Sequence, residues 1–337
     1  MGCGFCHIIE KETNGLFGFN NIDGECFINS TLQIFTHLNT LNEKINKYID
    51  TNLNKEENCY KEKFLLIEYK KILELINKQE KVINSINIKK AMSKINYLYN
   101  NSNSLDANDF ITDFIIEMSN ELPSPRNNKL KIPINKIEQN SFKKLIKKFY
   151  KNESFIMDMF FGIKKTEILC TNNHIINVQY DNFIILELSV YPFREERIIN
   201  IKDILKFNFK ESQFFNICDE CQKESECIKK IKIYNAPDIL IIYFGRTIDN
   251  KFYDNKIVFE NIINMNEFTN SIEKFSLFGL IQNIKGHYSS CTINQTIILM
   301  IMIKNGIFLM IQKNQKKLAI RKFFYLILFF YFIRKND

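Results

Sequence analysis

A fold mixing helices with strands is what this sequence predicts, on three observations. Phe27, Ile28, Leu32 and Phe35 recur at three- and four-residue steps; Phe110, Phe114, Met118 and Leu122 recur at every fourth position; and Asp238-Ile-Leu-Ile-Ile-Tyr-Phe-Gly-Arg246 is a β-branched run. The first two patterns give helices with an apolar face, and the third gives a buried strand. At 337 residues and 45% hydrophobic content, the chain can build one domain with subdomains around a large core. In order along the chain, the first helix runs from Cys26 to about Leu38, with Gly24 suited to the tight turn before it. The Asn- and Lys-rich region from about Asn42 to Asn100 reads as further helices, and Asn100 to Ser104 as a linker. The helix carrying the Phe110 stripe starts near Asp106, and Pro123, Pro125 and Pro133 mark a connection after it.

A cysteine at the start of a helix has a chemical meaning of its own. The thiolate is the nucleophilic form, and the positive end of a helix favours it. Taken alone, Cys26 would be read as a buried inert thiol, because free cysteine is among the most buried residue types. Its surroundings reverse that reading. The stretch Gly18-Phe-Asn-Asn-Ile-Asp-Gly-Glu-Cys26-Phe-Ile-Asn-Ser-Thr-Leu-Gln33 resembles the Cys box of ubiquitin-specific proteases, and Gly286-His287-Tyr288 resembles the start of their His box.

The resemblance covers about Gly18 to Cys291 and implies an α+β, papain-like cysteine protease fold with thumb, palm and fingers subdomains. It divides the chain into an N-terminal extension (1–17), a catalytic domain (18–291, thumb about 18–150, fingers and palm about 151–291) and a tail (292–337). It implies hydrolysis of the bond after the C-terminal Gly of ubiquitin, with ubiquitin and ubiquitinated proteins as partners and no cofactor for catalysis. Cys26 would attack the carbonyl, and His287 would take its proton and later protonate the leaving amine. Asn21, five residues before Cys26, would help hold the oxyanion. Two positions depart from the family: Asp23 stands for a Gly and Glu25 for a Thr. Both add negative charge beside the thiol and disfavour its ionised form.

Two more segments match in family order. Asp106-Ala-Asn-Asp109-Phe110 resembles the head of a thumb helix whose acidic positions contact the arginines of the ubiquitin tail, so Asp106 and Asp109 inherit that role by position. Helix capping explains the same residues without a partner. The family also pairs two C-x-x-C knuckles. Cys218-Asp-Glu-Cys221 keeps that spacing, whereas the upstream partner reads Cys170-Thr-Asn-Asn-His174. Three thiolates and an imidazole suit tetrahedral zinc, so Cys170, His174, Cys218 and Cys221 form a candidate structural site, against a relic with reduced thiols. Cys227 is too near in sequence to stand in as a ligand.

At the N-terminus, Cys3-Gly-Phe-Cys6-His7 matches a haem-attachment pattern, but no export signal or small helical domain accompanies it. Met1-Gly2-Cys3 lacks the Ser or Thr that myristoylation needs at position 6. No apolar signal peptide opens the chain, and nine cysteines form no disulfide framework, so a reducing cytoplasmic or nuclear compartment is expected. The net charge of +8 does not indicate nucleic acid. Eight of the basic residues lie in 292–337 against Asp337 alone, which leaves the rest of the chain near neutral.

That tail departs from the family. The strand whose acidic or amide residue orients the catalytic His is absent, as is the final palm strand, so the third triad member is missing from the chain as written. The run Phe323–Ile333 is too short to span a bilayer, and a membrane tether follows only if the tail is genuine. Codons straddling adjacent residues tell a different story. From Asn305 to Ile311 they permit Trp-Tyr-Phe-Phe-Asn-Asp, and Met310 followed by Ile311 forces the Asp. The palm strands after about Cys291 are therefore expected to be out of frame. If the chain turns nothing over, the alternative reading is an inactive ubiquitin-binding protein.

Overall fold

The structure, a computed structural model, describes residues 17–22, 24–52, 64–100, 105–124, 130–149, 153–193, 198–248, 251–253, 255–258, 260, 262–284, 286–292 and 307–313. The chain divides into two compact units, Met1–Pro123 with Lys285–Ser290, and Ser124–Ile284 with Cys291–Asp337. The motifs at Met1–Cys3 and Cys3–His7 and the run Phe323–Ile333 lie outside the described residues. Among the described residues, no helix is long and apolar enough to cross a membrane.

The first unit is mainly helical. β1 (Gly18–Asn20) precedes α1 (Cys26–Phe35), α2 (Asn39–Asn52), α3 (Phe64–Asn77), β2 (Val82–Asn84), α4 (Ile86–Ser93) and α5 (Ala107–Glu121). The predicted first helix ends at Phe35, and its continuation to Leu38 is a pair of tighter turns closed by His37 N to the Ile34 carbonyl and Leu38 N to the Phe35 carbonyl. Both apolar stripes meet in the core. Phe110, Phe114, Met118 and Leu122 are all buried, and Phe27 and Phe35 of α1 pack edge-to-face on Phe110 (5.6 Å) and Phe114 (5.2 Å). Such pairs contribute roughly 0.5–1.5 kcal/mol beyond area burial, and emptying a site like Phe114 to Ala costs about 3–5 kcal/mol. The buried carboxylate of Glu121, at the end of α5, accepts from Leu65 N (3.0 Å) and Leu66 N (2.7 Å) and so caps α3. Sequence pattern does not foretell β2, which pairs parallel with β1 through Gly18↔Val82 to Asn20↔Asn84.

The second unit opens with α6 (Lys136–Phe149) and α7 (Phe155–Phe160), followed by β3 (Gly162–Cys170), β4 (Ile175–Phe183), β5 (Ile185–Ser189), β6 (Ile198–Asn200), α8 (Ile201–Asn208), β7 (Ser212–Cys218) and β8 (Lys223–Asn235). Then come β9 (Ile239–Gly245), the two-residue strands β10 (Thr247–Ile248) and β11 (Lys251–Phe252), β12 (Lys256–Val258), β13 (Ile262–Asn264) and β14 (Lys274–Ile284), with β15 (His287–Thr292) and β16 (Ile307–Lys313) last. β4-β3-β8-β7 is an antiparallel sheet, and β13-β14-β16-β9-β5 runs in that order through a second sheet. The predicted strand over 238–246 is β9, whose Ile239, Leu240, Ile241 and Ile242 are all buried. Leu240, Ile242 and Phe244 share a core with Ile201, Ile204 and Leu205 of α8. At the end of β9, buried Arg246 donates through Nη1 to the carbonyls of Tyr253 (3.1 Å) and Asn255 (2.7 Å), which fixes the loop that follows.

Within the segment where the sequence leads one to expect palm strands that are missing or out of frame, Ile307–Lys313 forms β16, antiparallel to both β14 and β9. Ladder bonds are made by backbone groups, so any extended apolar segment satisfies the gap between two strands.

Candidate active site and metal cluster

Cys26 is the first residue of α1 and is 6% exposed. Gly24 has φ +69°, the left-handed conformation that glycine adopts without steric cost, so the tight turn before the helix is present. The Cys26 thiol lies 4.0 Å from the Gly24 carbonyl. No acidic residue lies in the first turn of α1, whose free amides give Cys26 a positive local field. The box is braced internally. Asn29 Nδ2 donates to the Asn20 carbonyl at 3.0 Å, and Thr31 Oγ1 donates back to the Phe27 carbonyl at 2.8 Å. Asn21 is exposed just past β1, and Asp23 lies outside the described residues.

Glu25, one of the two departures from the family pattern, is enclosed by protein. Its side chain is 1% exposed, with Ser85 Oγ donating to Oε2 at 3.3 Å and Lys89 Nζ 3.7 Å from Oε1. The negative charge therefore has a counter-ion. Nothing in the sequence pattern singles out Ser85 or Lys89.

His287 opens β15 after Gly286, which has φ +82°. It is exposed, and among the described residues its ring makes no hydrogen bond to Cys26. Its segment, Lys285–Ser290, nonetheless belongs to the same compact unit as Cys26 and α5. The next residue supplies a direct link. Buried Tyr288 donates its hydroxyl to Asp106 Oδ1 at 3.0 Å. Asp106 is also the N-cap of α5 and accepts from Asn108 N at 3.0 Å, so the capping role is realised. Asp109 is exposed one turn on. Partial loss of solvent around the carboxyl, then the charges of Asp106 and Asp113, hold it above the ordinary value. The head of α5 thus has acidic groups that repel one another, a surface suited to a cationic guest.

The metal candidates converge. Cys170 ends β3, Cys218 ends β7, and His174 and Cys221 sit in the turns that follow each strand. Their ligand atoms all lie within 4.8 Å of one another. Cys170 Sγ to Cys221 Sγ is 3.9 Å, Cys218 Sγ to His174 Nδ1 is 3.7 Å, and His174 Nδ1 to Cys221 Sγ is 3.2 Å. A tetrahedron with zinc–sulfur bonds of about 2.3 Å and zinc–nitrogen bonds of about 2.0 Å has edges of roughly 3.5–3.8 Å, so the four side chains fit a structural zinc. Each knuckle contains a left-handed residue, Asn173 (φ 61°) or Gln222 (φ 56°), and that conformation turns the chain sharply enough to aim both ligands inward. Asn172 Nδ2 donates to Cys221 Sγ at 3.3 Å, a supporting contact outside the ligand set. Burial pushes the Cys170 thiol up, but backbone hydrogen bonds at His174 and Asn172 and the neighbouring thiols outweigh it and leave Cys170 below its ordinary value. Cys227 is fully buried opposite Cys170 in the β3–β8 ladder, beside the cluster and not within it.

Comparison with known proteins follows the same lines. The family model for ubiquitin carboxyl-terminal hydrolase matches residues 17–305. Ubiquitin carboxyl-terminal hydrolase Usp2 of Drosophila melanogaster is 23% identical over 290 residues, covering 83% of this chain and 29% of that protein. Human ubiquitin carboxyl-terminal hydrolase 2 is 22% identical over 258 residues, covering 73% of this chain and 42% of that protein. The chain thus spans less than half the length of these curated relatives. Among solved structures, Ubp8 of the SAGA deubiquitinating module bound to monoubiquitin superposes with a TM-score of 0.68 at 18% identity, over 90% of this chain and 70% of that one. The same module bound to ubiquitin aldehyde gives 0.66 at 19%. The fold is therefore the α+β, papain-like one of these proteases. With a family model matched over most of its length, the chain belongs to the ubiquitin carboxyl-terminal hydrolase family.

Proposed function

We propose that this chain is a cysteine-type deubiquitinase that hydrolyses the bond after the C-terminal Gly of ubiquitin in ubiquitin–protein conjugates. The observation that carries the reading is Cys26 at the head of α1 in one unit with His287 and the acidic head of α5. Cys26 attacks the carbonyl as thiolate, and His287 accepts the thiol proton and returns it to the leaving amine. Water then attacks the thioester, with His287 as base, and frees the carboxylate. Asn21 donates to the oxyanion, while Asp106 and Asp109 receive the cationic side chains of the ubiquitin tail. Cys170, His174, Cys218 and Cys221 would hold a structural zinc, which would tie the strand ends together and take no part in the reaction. None of the six cysteines among the described residues is in a disulfide, which fits a reducing cytoplasmic or nuclear setting.

The group that orients His287 is absent from residues 292–337 as written, and we place it in the alternative frame over Asn305–Ile311. Transcript sequence across residues 285–337 reads this directly. The function itself is tested by release of coumarin from a ubiquitin C-terminal coumarin amide. His287→Ala should lower kcat by about 10²–10⁴-fold. A wild-type chain without turnover that still binds ubiquitin would make it an inactive ubiquitin-binding protein.

A further inference from the structure

Glu25 is buried beside the candidate nucleophile, and the proposed chemistry makes no use of it. Its contacts come from α4. Ser85, the N-cap of α4, donates to Oε2, and Lys89, one turn into the helix, brings Nζ to 3.7 Å from Oε1 with its own side chain only 14% exposed. Oε1 takes no hydrogen bond, so the ammonium is its compensation among the described residues. The single Ser85 hydroxyl proton is shared between Glu25 Oε2 and Asn29 Oδ1, which lies closer at 2.5 Å, and Asn29 holds the carbonyl of Asn20. One polar chain therefore fastens the start of α1 to α4 and β1. Among the described residues the charged group that meets Glu25 is Lys89; Ser85 and Asn29 are neutral.

A carboxylate next in sequence to a thiol repels the thiolate, and low surrounding polarity strengthens the repulsion. An ammonium within about 4 Å cancels much of that field. We propose that Lys89 is a positioning residue for Cys26: by pairing with Glu25 it removes the charge penalty at the nucleophile and anchors the helix start that carries it. The proposal rests on Cys26 as nucleophile. It also explains how a Glu can stand immediately before a reactive thiol.

Opposite charges give opposite signs, and a purely structural role does not. The measurement is the rate of Cys26 alkylation by iodoacetamide as a function of pH, in the full chain, with the modified peptide located by mass spectrometry and folding checked by circular dichroism. Lys89→Met should slow alkylation at pH 7 roughly tenfold, moving the profile up by about one pH unit. Glu25→Gln should move the profile down. Adding Glu25→Gln to Lys89→Met should restore the rate to at least that of wild type, and Lys89→Arg should stay close to wild type. Where Lys89→Met does not fold, Glu25→Gln decides alone. An unmoved profile in Glu25→Gln, or a double variant as slow as folded Lys89→Met, overturns the proposal. Ubiquitin-electrophile labelling of wild type is read in parallel. Its absence would sink the deubiquitinase reading while the alkylation series still judged Lys89, and its presence with an unmoved profile would sink the Lys89 inference alone.

Discussion

Cysteine is handled in two ways in this molecule. In the first unit Cys26, the one cysteine among its described residues, sits at the head of a helix. In the second, Cys170, Cys218 and Cys221 meet His174 where strands end in tight turns, with Cys227 buried beside them. Backbone setting separates the chemistries. A helix start directs unpaired amides at one sulfur and favours its ionised form, whereas knuckle turns bring several sulfurs to distances at which they can share one cation. Burial does not distinguish them, since Cys26, Cys170 and Cys218 are all nearly inaccessible.

Removing one knuckle ligand tests this contrast most severely. Cys221→Ser should reduce bound zinc, measured by atomic absorption, from about one per chain to near zero and lower the thermal midpoint, because metal binding is coupled to the fold of its turns. Iodoacetamide should still modify Cys26 at the wild-type rate. A fall in that rate would show that the two settings are not independent.

A smaller effect is expected at the acidic head of α5. Replacing Asp106 and Asp109 together by Asn keeps a good N-cap, so folding should persist, while ubiquitin binding weakens roughly tenfold and loses most of its salt dependence. Because the Asp109 carboxyl is held above its ordinary value, its charged form is reached late as pH rises, and wild-type affinity should increase through that range. The double variant should show no such increase by calorimetry. Equal affinities at low salt would leave these residues only their capping and Tyr288 contacts.

The smallest effect concerns His37, which stacks on Phe17 at 5.4 Å and whose Nδ1 donates to the Gln33 carbonyl at 2.6 Å. Burial lowers its pKa below the ordinary value, against the raising effect of that hydrogen bond. The unfolded chain therefore binds the proton more readily. Stability should be fully present above about pH 6.5 and decline as pH falls from there through the lowered folded value. In urea titrations His37→Phe should show a flatter pH dependence than wild type over that window.

Local chemistry was legible in the sequence wherever one short segment carries it. The helix at Cys26, the Phe110 stripe, the strand at 239–245 and the Cys–His knuckles are all periodicities or spacings within a few turns of chain. Long-range partners were not. Nothing local in Val82–Asn84 announces a strand paired with Gly18–Asn20, and nothing in Lys89 announces a counter-ion for Glu25. The residue that pairs with the Glu25 carboxylate comes from another helix. β16 shows the converse: its residues fit no family motif, and strand pairing needs only an extended backbone between β14 and β9.

The assignment of Cys26 as nucleophile carries the whole account, and a ubiquitin bearing a C-terminal vinyl electrophile tests it most directly. Intact-mass measurement should show one adduct per wild-type chain, peptide mapping should place it on Cys26, and Cys26→Ala should give none. An adduct that persists in Cys26→Ala, or that maps to another cysteine, would contradict the account.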